Sequence, residues 1–537
     1  MKNIDNMKYR YLSSILFFLP VFLGSCQKDD LPEIKTPIAE TTDLYGVVTD
    51  SEGNYMPGVV VSDGYSCAVT DGNGVWQLTA NEFSYQVYVS IPADCRVTVK
   101  DGYPDFWKKI ENGVSRYDFT LEKMSAPEDE FDLVCVADPQ CQTASNVSRF
   151  TSETAVDLRA YAAGAEVPKY GVLLGDIGWN TANTDYTNAV FPLMKVALKE
   201  ENVGMPMFFV IGNHDNKVIE VSTDNYTVAH DIAAQRNFEY AFGPVNYSFN
   251  RGEAHIVVMD NIIFPNHDDY YLGFRDDQVE WLRQDLESVS KDKMLILCVH
   301  IPIRANEGNN VDKVVELIEQ FAEVHVMSGH THYAENNEYD GHYEHVHGAA
   351  CGAWWRTVIN ADGTPNGYSV YRVDGASFSN WYYKSVGFDK DYQIRLYRGN
   401  LKYMDGYASQ YEFYYKGEGD IIANIWNADS GWKVDVYEDN NLTGQMEPYG
   451  SGATRRDAWA SGYLLGVLGL SGTSYDKSNV SHLYHYTLKT KNKNPDDVSV
   501  RVVATDSFGN TYEQTEFTPN TTAGFPEAIM PGSDTGE

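Results

Sequence analysis

The chain has 537 residues, too many for one domain, and sets 41 basic against 76 acidic residues for a formal charge of −35. So acidic a balance excludes binding to nucleic acid or anionic headgroups through a broad basic surface. It favours solubility and distance from an anionic membrane.

At the amino terminus Lys2, Lys8 and Arg10 precede an apolar run from Tyr11 to Leu23, which is short for a membrane span, and then comes Leu23-Gly24-Ser25-Cys26. Residues 1–26 resemble a bacterial lipoprotein signal. The resemblance implies cleavage before Cys26, lipidation of its thiol and anchoring to a membrane by acyl chains. Gln27-Lys28-Asp29-Asp30 resembles the signal that sends some lipoproteins to the outer surface of Gram-negative cells, so a surface-exposed outer-membrane lipoprotein is expected. Residues 27–41 read as a tether. From 42 to 124, short alternating segments are punctuated by turns such as Thr70-Asp71-Gly72-Asn73-Gly74, the mark of an all-β sandwich. This stretch resembles an Ig-like or carboxypeptidase-regulatory-like module. Its Asp71-Gly72-Asn73-Gly74 turn has the start of a calcium loop without the downstream acidic ligands, so a plain turn is expected.

Between 127 and 387, five apolar runs each end in residues able to ligate a metal. Asp138-Pro139-Gln140 follows FDLVCVA, Gly175-Asp176 follows YGVLL, and Gly212-Asn213-His214-Asp215 follows PMFFVI. His300 follows MLILCV, and Gly329-His330-Thr331-His332 follows EVHVMS. Runs of this kind are strands buried on both faces, as in a sheet covered by helices. Reactive groups of such sheets gather beyond the carboxyl ends of the strands. His330 and His332, two apart on an extended segment, project to one side. Helical spacing is found over Phe150 to Ala163, Ala189 to Leu198, Asp277 to Val289 and Val311 to Phe321, so strands and helices alternate as in an α/β layered domain. Cys135 and Cys298 fall in the core strands as small hydrophobes, whereas Cys67 and Cys95 could pair in the amino-terminal module.

The ordered set D-x-Q, GD, GNHD, H and GHxH resembles the calcineurin-like metallophosphoesterase family over about the middle half of the chain. It implies a central α/β two-sheet sandwich flanked by helices, holding two divalent ions (Mn, Fe, Zn or Mg). By that resemblance one metal is held by Asp138, Gln140, Asp176 and His332, and the other by Asp176, Asn213, His300 and His330. Two anionic ligands against two dications leave a net formal charge of about +2, which attracts phosphate. Metals about 3.5–4 Å apart lower the pKa of a shared water, supply hydroxide as nucleophile and clamp an in-line displacement. His214 is then the general acid toward the departing alkoxide, with Asp215 as its orienting partner. Many family members have His where this chain has Gln140, a neutral and weaker ligand that leans toward manganese or magnesium.

Residues 388–533 return to strand-like segments, Trp432 to Tyr437 and Val498 to Ala504 among them. They resemble the carboxy-terminal β-rich domain of some bacterial metallophosphoesterases. Trp354-Trp355 and Trp381-Tyr382-Tyr383 are placed either to stack on a substrate or to fill sheet cores. The expected activity is metal-dependent hydrolysis of phosphate mono- or diesters on a phosphorylated small molecule, glycan or lipid headgroup at the cell envelope, with no nucleic-acid partner. The competing class is a carbohydrate-binding or adhesive surface lipoprotein whose phosphoesterase domain has degenerated.

Overall fold

A computed structural model describes residues 31–181, 184–217, 225–304, 306–490 and 497–521. Cys26 and the signal-like residues 1–26 lie outside the described residues. No helix among the described residues is long and apolar enough to cross a membrane.

Two sheets form the centre. The first runs in the order Met207–Phe209, Lys169–Leu173, Glu130–Val136, Gly367–Asp374, Ser377–Ser385. Its first three strands are parallel, and Gly367–Asp374 pairs antiparallel with Glu130–Val136. The second runs Tyr247–Arg251, Ala254–Val258, Met294–Cys298, Glu323–Ser328, His342–Val346, Glu335–Tyr339. Its four middle strands are parallel.

Both faces of the first sheet are covered, which explains its unbroken apolar runs. Along Glu130–Val136 the alternate residues Leu133 and Cys135 face the second sheet, packing with Ile256, Leu295 and Leu297. Val134 and Val136 face the other way, onto Phe150, Leu158, Val190 and Met194 of the helical layer. Phe208 and Phe249 stack across the two sheets at 3.9 Å and 7°. The helical segments include Ala144–Phe150, Thr151–Ala155, Val156–Gly164, Thr187–Ala197, Asp276–Glu287 and Val311–Ile318. The first run therefore starts before Phe150, at an N-cap on Thr143, and takes a π turn over Thr151–Ala155 that helical spacing alone does not reveal.

The flanking β regions are fused to this centre. The amino-terminal region has Leu44–Asp50 between Val75–Leu78 and Phe119–Leu121 in one sheet and four short strands in another. Its residues Val87, Tyr88 and Phe106 belong to the same apolar core as Phe208 and Tyr247. Phe106 lies 5.8 Å from Phe208 and 5.2 Å from Tyr247, centroid to centroid. Ser90 and Ser248 hydrogen-bond at 2.8 Å, and Trp281 Nε1–H donates to Ser62 Oγ at 3.1 Å. Cys67 and Cys95 are both free thiols, so the disulfide the sequence allows is absent. Buried in a shared core, the Cys95 side chain serves as packing. Asp71 accepts from Asn73 N and Val75 N at 2.8 and 3.0 Å, the geometry of a plain turn.

In the carboxy-terminal region two four-stranded sheets enclose Leu396, Ile421, Val434 and Val502. A loop of the central domain plugs into it through a buried polar network. Asp362 Oδ2 accepts from Ala334 N at 2.9 Å and meets His482 Nε2 at 3.1 Å. Asn424 Nδ2 donates to Asp362 O at 2.8 Å, and Arg395 Nη1 to Gly363 O at 2.6 Å. Burial opposes the Asp362 charge, but the His482 hydrogen bond and the adjacent amides hold its carboxyl below the usual range.

A shared core predicts that Phe106→Ala lowers stability by about 3–5 kcal/mol. Denaturant unfolding followed with a fluorophore in the central domain reads this. An unshifted midpoint there would mean that the amino-terminal region is merely tethered.

Candidate metal centre

Five strand ends converge where the carboxyl edges of the two sheets meet, and backbone hydrogen bonds join them. Gln140 N–H and Cys141 N–H donate to Asp176 O and Ile177 O at 2.7 and 3.1 Å, and Gly329 N–H donates to His300 O at 3.0 Å. Glycine is needed because the backbones crowd the carboxylates. A Cβ on Gly212 would sit 2.2 Å from Asp176 Oδ1, one on Gly175 2.5 Å from His300 Nδ1, and one on Gly329 2.5 Å from Asp138 Oδ2. Of the thirteen non-glycine residues with positive φ among the described residues, seven crowd here: Asp138, Gln140, Asp176, His330, His332, Trp354 and Trp355. Strain of this kind persists only where surrounding structure over-determines it, and it collects at functional sites.

Asp176 sits at the middle. Its Oδ1 accepts from His214 N at 2.9 Å; its Oδ2 accepts from Gln140 Nε2 at 2.7 Å and lies 3.4 Å from His300 Nε2. Asn213 Oδ1 is 3.0 Å from both His300 Nε2 and His330 Nδ1. Ligand atoms of Asp176, His300 and His330 all fall within 4.8 Å of one another. Asp138 takes His330 N–H on its oxygens at 3.0 and 3.1 Å, and His332 Nε2 stands 3.6 Å from its Oδ1. The structure thus brings all seven ligand-type side chains into one buried cluster.

Electrostatics of the cluster follow from burial. Asp138 and Asp176 are both fully buried. Desolvation, followed by the Asp176 charge, pushes the Asp138 carboxyl well above the carboxylate range despite the opposing His300. Burial opposes ionisation of Asp176 too, but His300 and His214 outweigh it and hold its carboxyl far below that range. His300 Nδ1–H donates to Leu174 O at 2.8 Å, leaving Nε2 toward the cluster. Burial resists its charge, but Asp176 and Asp138 raise it to about 9. His330 and His332 are lowered to about 3, first by desolvation, so each presents neutral imidazole lone pairs.

These residues fit a divalent cation. Two carboxylates, three imidazoles, an amide oxygen and Asn213 are a mixed O/N set suited to such ions. Gln140 Oε1 is buried with no hydrogen-bond partner, an orphan acceptor that costs about 1–3 kcal/mol unless something takes it up.

His214 and Asp215 part company. Asp215 turns inward, its oxygens accepting Gly178 N–H and Gly212 N–H at 2.8 and 2.9 Å, and burial followed by the Asp176 charge raises it to about 7. The sequence pairs it with His214; in the structure the His214 ring instead holds its Nδ1 2.6 Å from Asn180 O and stacks on Trp179 at 4.0 Å and 10°. A backbone carbonyl has no sequence signature, so this partner is invisible without the fold. Asn261 is also new: its Oδ1 accepts His300 N–H and Ile301 N–H at 3.3 and 3.1 Å, fixing the turn that aims His300. Its one sequence signal is its place three residues beyond the end of the Ala254–Val258 strand in Met259-Asp260-Asn261. Trp354 stacks on His332 at 4.4 Å and 27°, whereas Trp381 and Tyr383 are core residues.

Three family models match in chain order. The N terminal of calcineurin-like phosphoesterase matches residues 42–124, calcineurin-like phosphoesterase matches 133–334, and the C terminal of calcineurin-like phosphoesterase matches 344–512. The third begins within the central sheets, since His342–Val346 and Gly367–Asp374 pair there. No curated protein matches. Among solved structures, purple acid phosphatase from yellow lupin is similar at 12% identity and TM-score 0.34, over 59% of this chain and 56% of its own. A 5'-nucleotidase from Candida albicans is similar at 13% and 0.31, over 48% and 51%. Phosphopantetheinyl hydrolase from Mycobacterium tuberculosis is similar at 13% and 0.27, over 41% and 91%. Likeness at this level carries no argument about substrate. Catalytic, amino-terminal and carboxy-terminal models together span residues 42–512 with little interruption, and the chain belongs to the calcineurin-like phosphoesterase family of metal-dependent phosphoesterases.

Proposed function

We propose that the protein hydrolyses phosphate mono- or diesters at the cell envelope with two divalent ions, anchored through a lipidated Cys26. The observation that carries the hydrolytic reading is the convergence of Asp176, His300 and His330 beside an imidazole whose Nδ1 is engaged. Asp138, Gln140, Asp176 and His332 would hold one ion; Asp176, Asn213, His300 and His330 would hold the other. When bound, the ions supply activation of water and charge neutralisation at phosphorus.

The side chains do the rest. Asp176 Oδ2 meets both Gln140 Nε2 and His300 Nε2, so this one carboxylate touches a member of each proposed ligand set. With its Nδ1 against Asn180 O, His214 keeps Nε2 for the substrate. As water bonds to phosphorus and gives up one proton to solvent, the bond from phosphorus to the leaving oxygen breaks with its electron pair going to that oxygen, which takes the Nε2 proton, and the ring regains a proton from solvent. Trp179, flat against the ring, keeps the imidazole in that orientation. The convergent site disfavours the degenerate adhesive alternative.

Hydrolysis of p-nitrophenyl phosphate and its bis-ester with manganese should be abolished by chelator; chelator-resistant turnover would sink the metal-dependent reading. His214→Asn should lower kcat on alkyl esters by about 10²–10⁴-fold and far less on p-nitrophenyl esters, whose leaving group needs no proton; equal losses would remove the general acid. Because the metal-free protein keeps a proton on His300 up to about pH 9, an ion must displace it below that pH. Manganese affinity measured by calorimetry should therefore climb from pH 6 to 9, with proton release, and flatten above. Gln140→His should retain more metal through dialysis than the native chain; full retention by the native chain would count against a weak first site.

A further inference from the structure

Beside the metal centre lies a cleft of about 490 Å³ whose chemistry contrasts with the rest of the molecule. The chain carries a charge of −35, yet among the described residues no carboxylate lines this cleft, while Arg149 and Arg356 both do. Arg149 braces the wall, pairing with Glu153 at 2.8 Å and donating through Nη1 to Trp355 O at 2.7 Å. Arg356 is exposed at the rim.

Trp179, Tyr186, Trp354 and Tyr475 also line it, beside Trp355 and five uncharged polar side chains, and three of them form a continuous wall. Trp179, flat on His214, meets Trp354 edge-on at 6.5 Å, and Trp354 meets Tyr475 at 5.0 Å and 70°. The wall starts at the imidazole assigned to the leaving group and ends on the carboxy-terminal region. Trp354 and Trp355 hold φ of +49° and +61°, a strained conformation for residues with side chains. Trp355 Nε1–H to Pro139 O at 2.8 Å pins them in it. Next to them Ile359 and Ala361 share a core with Trp459 and Tyr463, and Asp362 meets His482. Docking of the carboxy-terminal region thus sets the shape of the cleft.

We propose that this cleft is the leaving-group subsite, and that it takes a ring-bearing alcohol with a second anionic substituent: a sugar phosphate or nucleoside phosphate. Arg356 and Tyr475 are its specificity-determining residues. The proposal rests on the phosphoesterase reading above. Tryptophan and tyrosine faces bind flat and sugar rings through stacking. A guanidinium pairs with a phosphate through two parallel hydrogen bonds.

The test uses the full manganese-loaded chain on glucose 1,6-bisphosphate, adenosine 3′,5′-bisphosphate and glycerol 2-phosphate. Arg356→Gln and Tyr475→Ala should each cut the ratio of kcat/KM on the preferred bisphosphate to that on glycerol 2-phosphate about tenfold, through KM. Which bisphosphate the native chain prefers separates the sugar source from the nucleoside one. An unchanged ratio, or equal losses on all three esters, overturns the subsite while leaving phosphoester hydrolysis standing. If the native chain hydrolyses none of them, calorimetric binding of glucose 6-phosphate and adenosine 3′-monophosphate decides the subsite, while the hydrolytic reading fails only if p-nitrophenyl phosphate and its bis-ester are left intact as well. A Kd weakened about tenfold by Arg356→Gln keeps the subsite, and no binding or no effect removes it.

Discussion

Two carboxylates, Asp138 and Asp176, are buried completely at the meeting edge of two sheets, and most of the local architecture answers that fact. A lone buried carboxylate is costly unless hydrogen bonds or cations compensate it. Here the compensation comes from His214 N–H and Gln140 Nε2 on Asp176 and from His330 N–H on Asp138. Those donors reach the oxygens only because Gly175, Gly212 and Gly329 let backbones pass where no Cβ fits. The same crowding forces Asp138, Asp176, His330 and His332 to positive φ. One electrostatic demand therefore explains the glycines, the strain and the clustering of histidines together.

Charge is distributed unevenly around that point. Across the molecule acids outnumber bases by a wide margin, which keeps polyanions and anionic surfaces away. At the centre the histidines hold Asp176 ionised, and the adjoining cleft offers guanidinium and aromatic faces with no acid among the described residues. A small anion is drawn to the interior and a large one is repelled outside, a contrast that fits the family's phosphoester chemistry.

The flanking regions act as walls rather than attachments. Phe106 shares its core with Phe208 and Tyr247, and the Asp362–His482–Asn424 network ties the carboxy-terminal region to the loop that carries Trp354 and Trp355. Since both interfaces are buried, neither region turns independently of the central sheets, and the carboxy-terminal one contributes Tyr475 to the cleft beside His214 and His332.

Much of the site was legible in the sequence because its signals are local. Apolar runs mark strands buried on both faces, and a ligand-type residue directly after such a run must lie at the sheet's edge. Hence the five strand-end islands follow from the chain, the assignment of seven side chains as ligands and of His214 as acid follows from its resemblance to the family, and three of the four expected helices agree with the structure to within three residues. What the sequence could not supply depends on long-range meetings. Asp215 lies next to His214 in sequence, but a 3-10 turn over Asn213–Asp215 sends the two side chains apart, and Asn180 O takes the place of the carboxylate. The cleft draws Arg149, Trp179, Trp354 and Tyr475 from four separate stretches, and no periodicity connects them. Residue chemistry and hydrophobic period determined which groups stand ready at the strand ends; only the packing of two sheets and two fused β regions decided which of them touch, because contact across hundreds of residues is set by the core and not by neighbours in the chain.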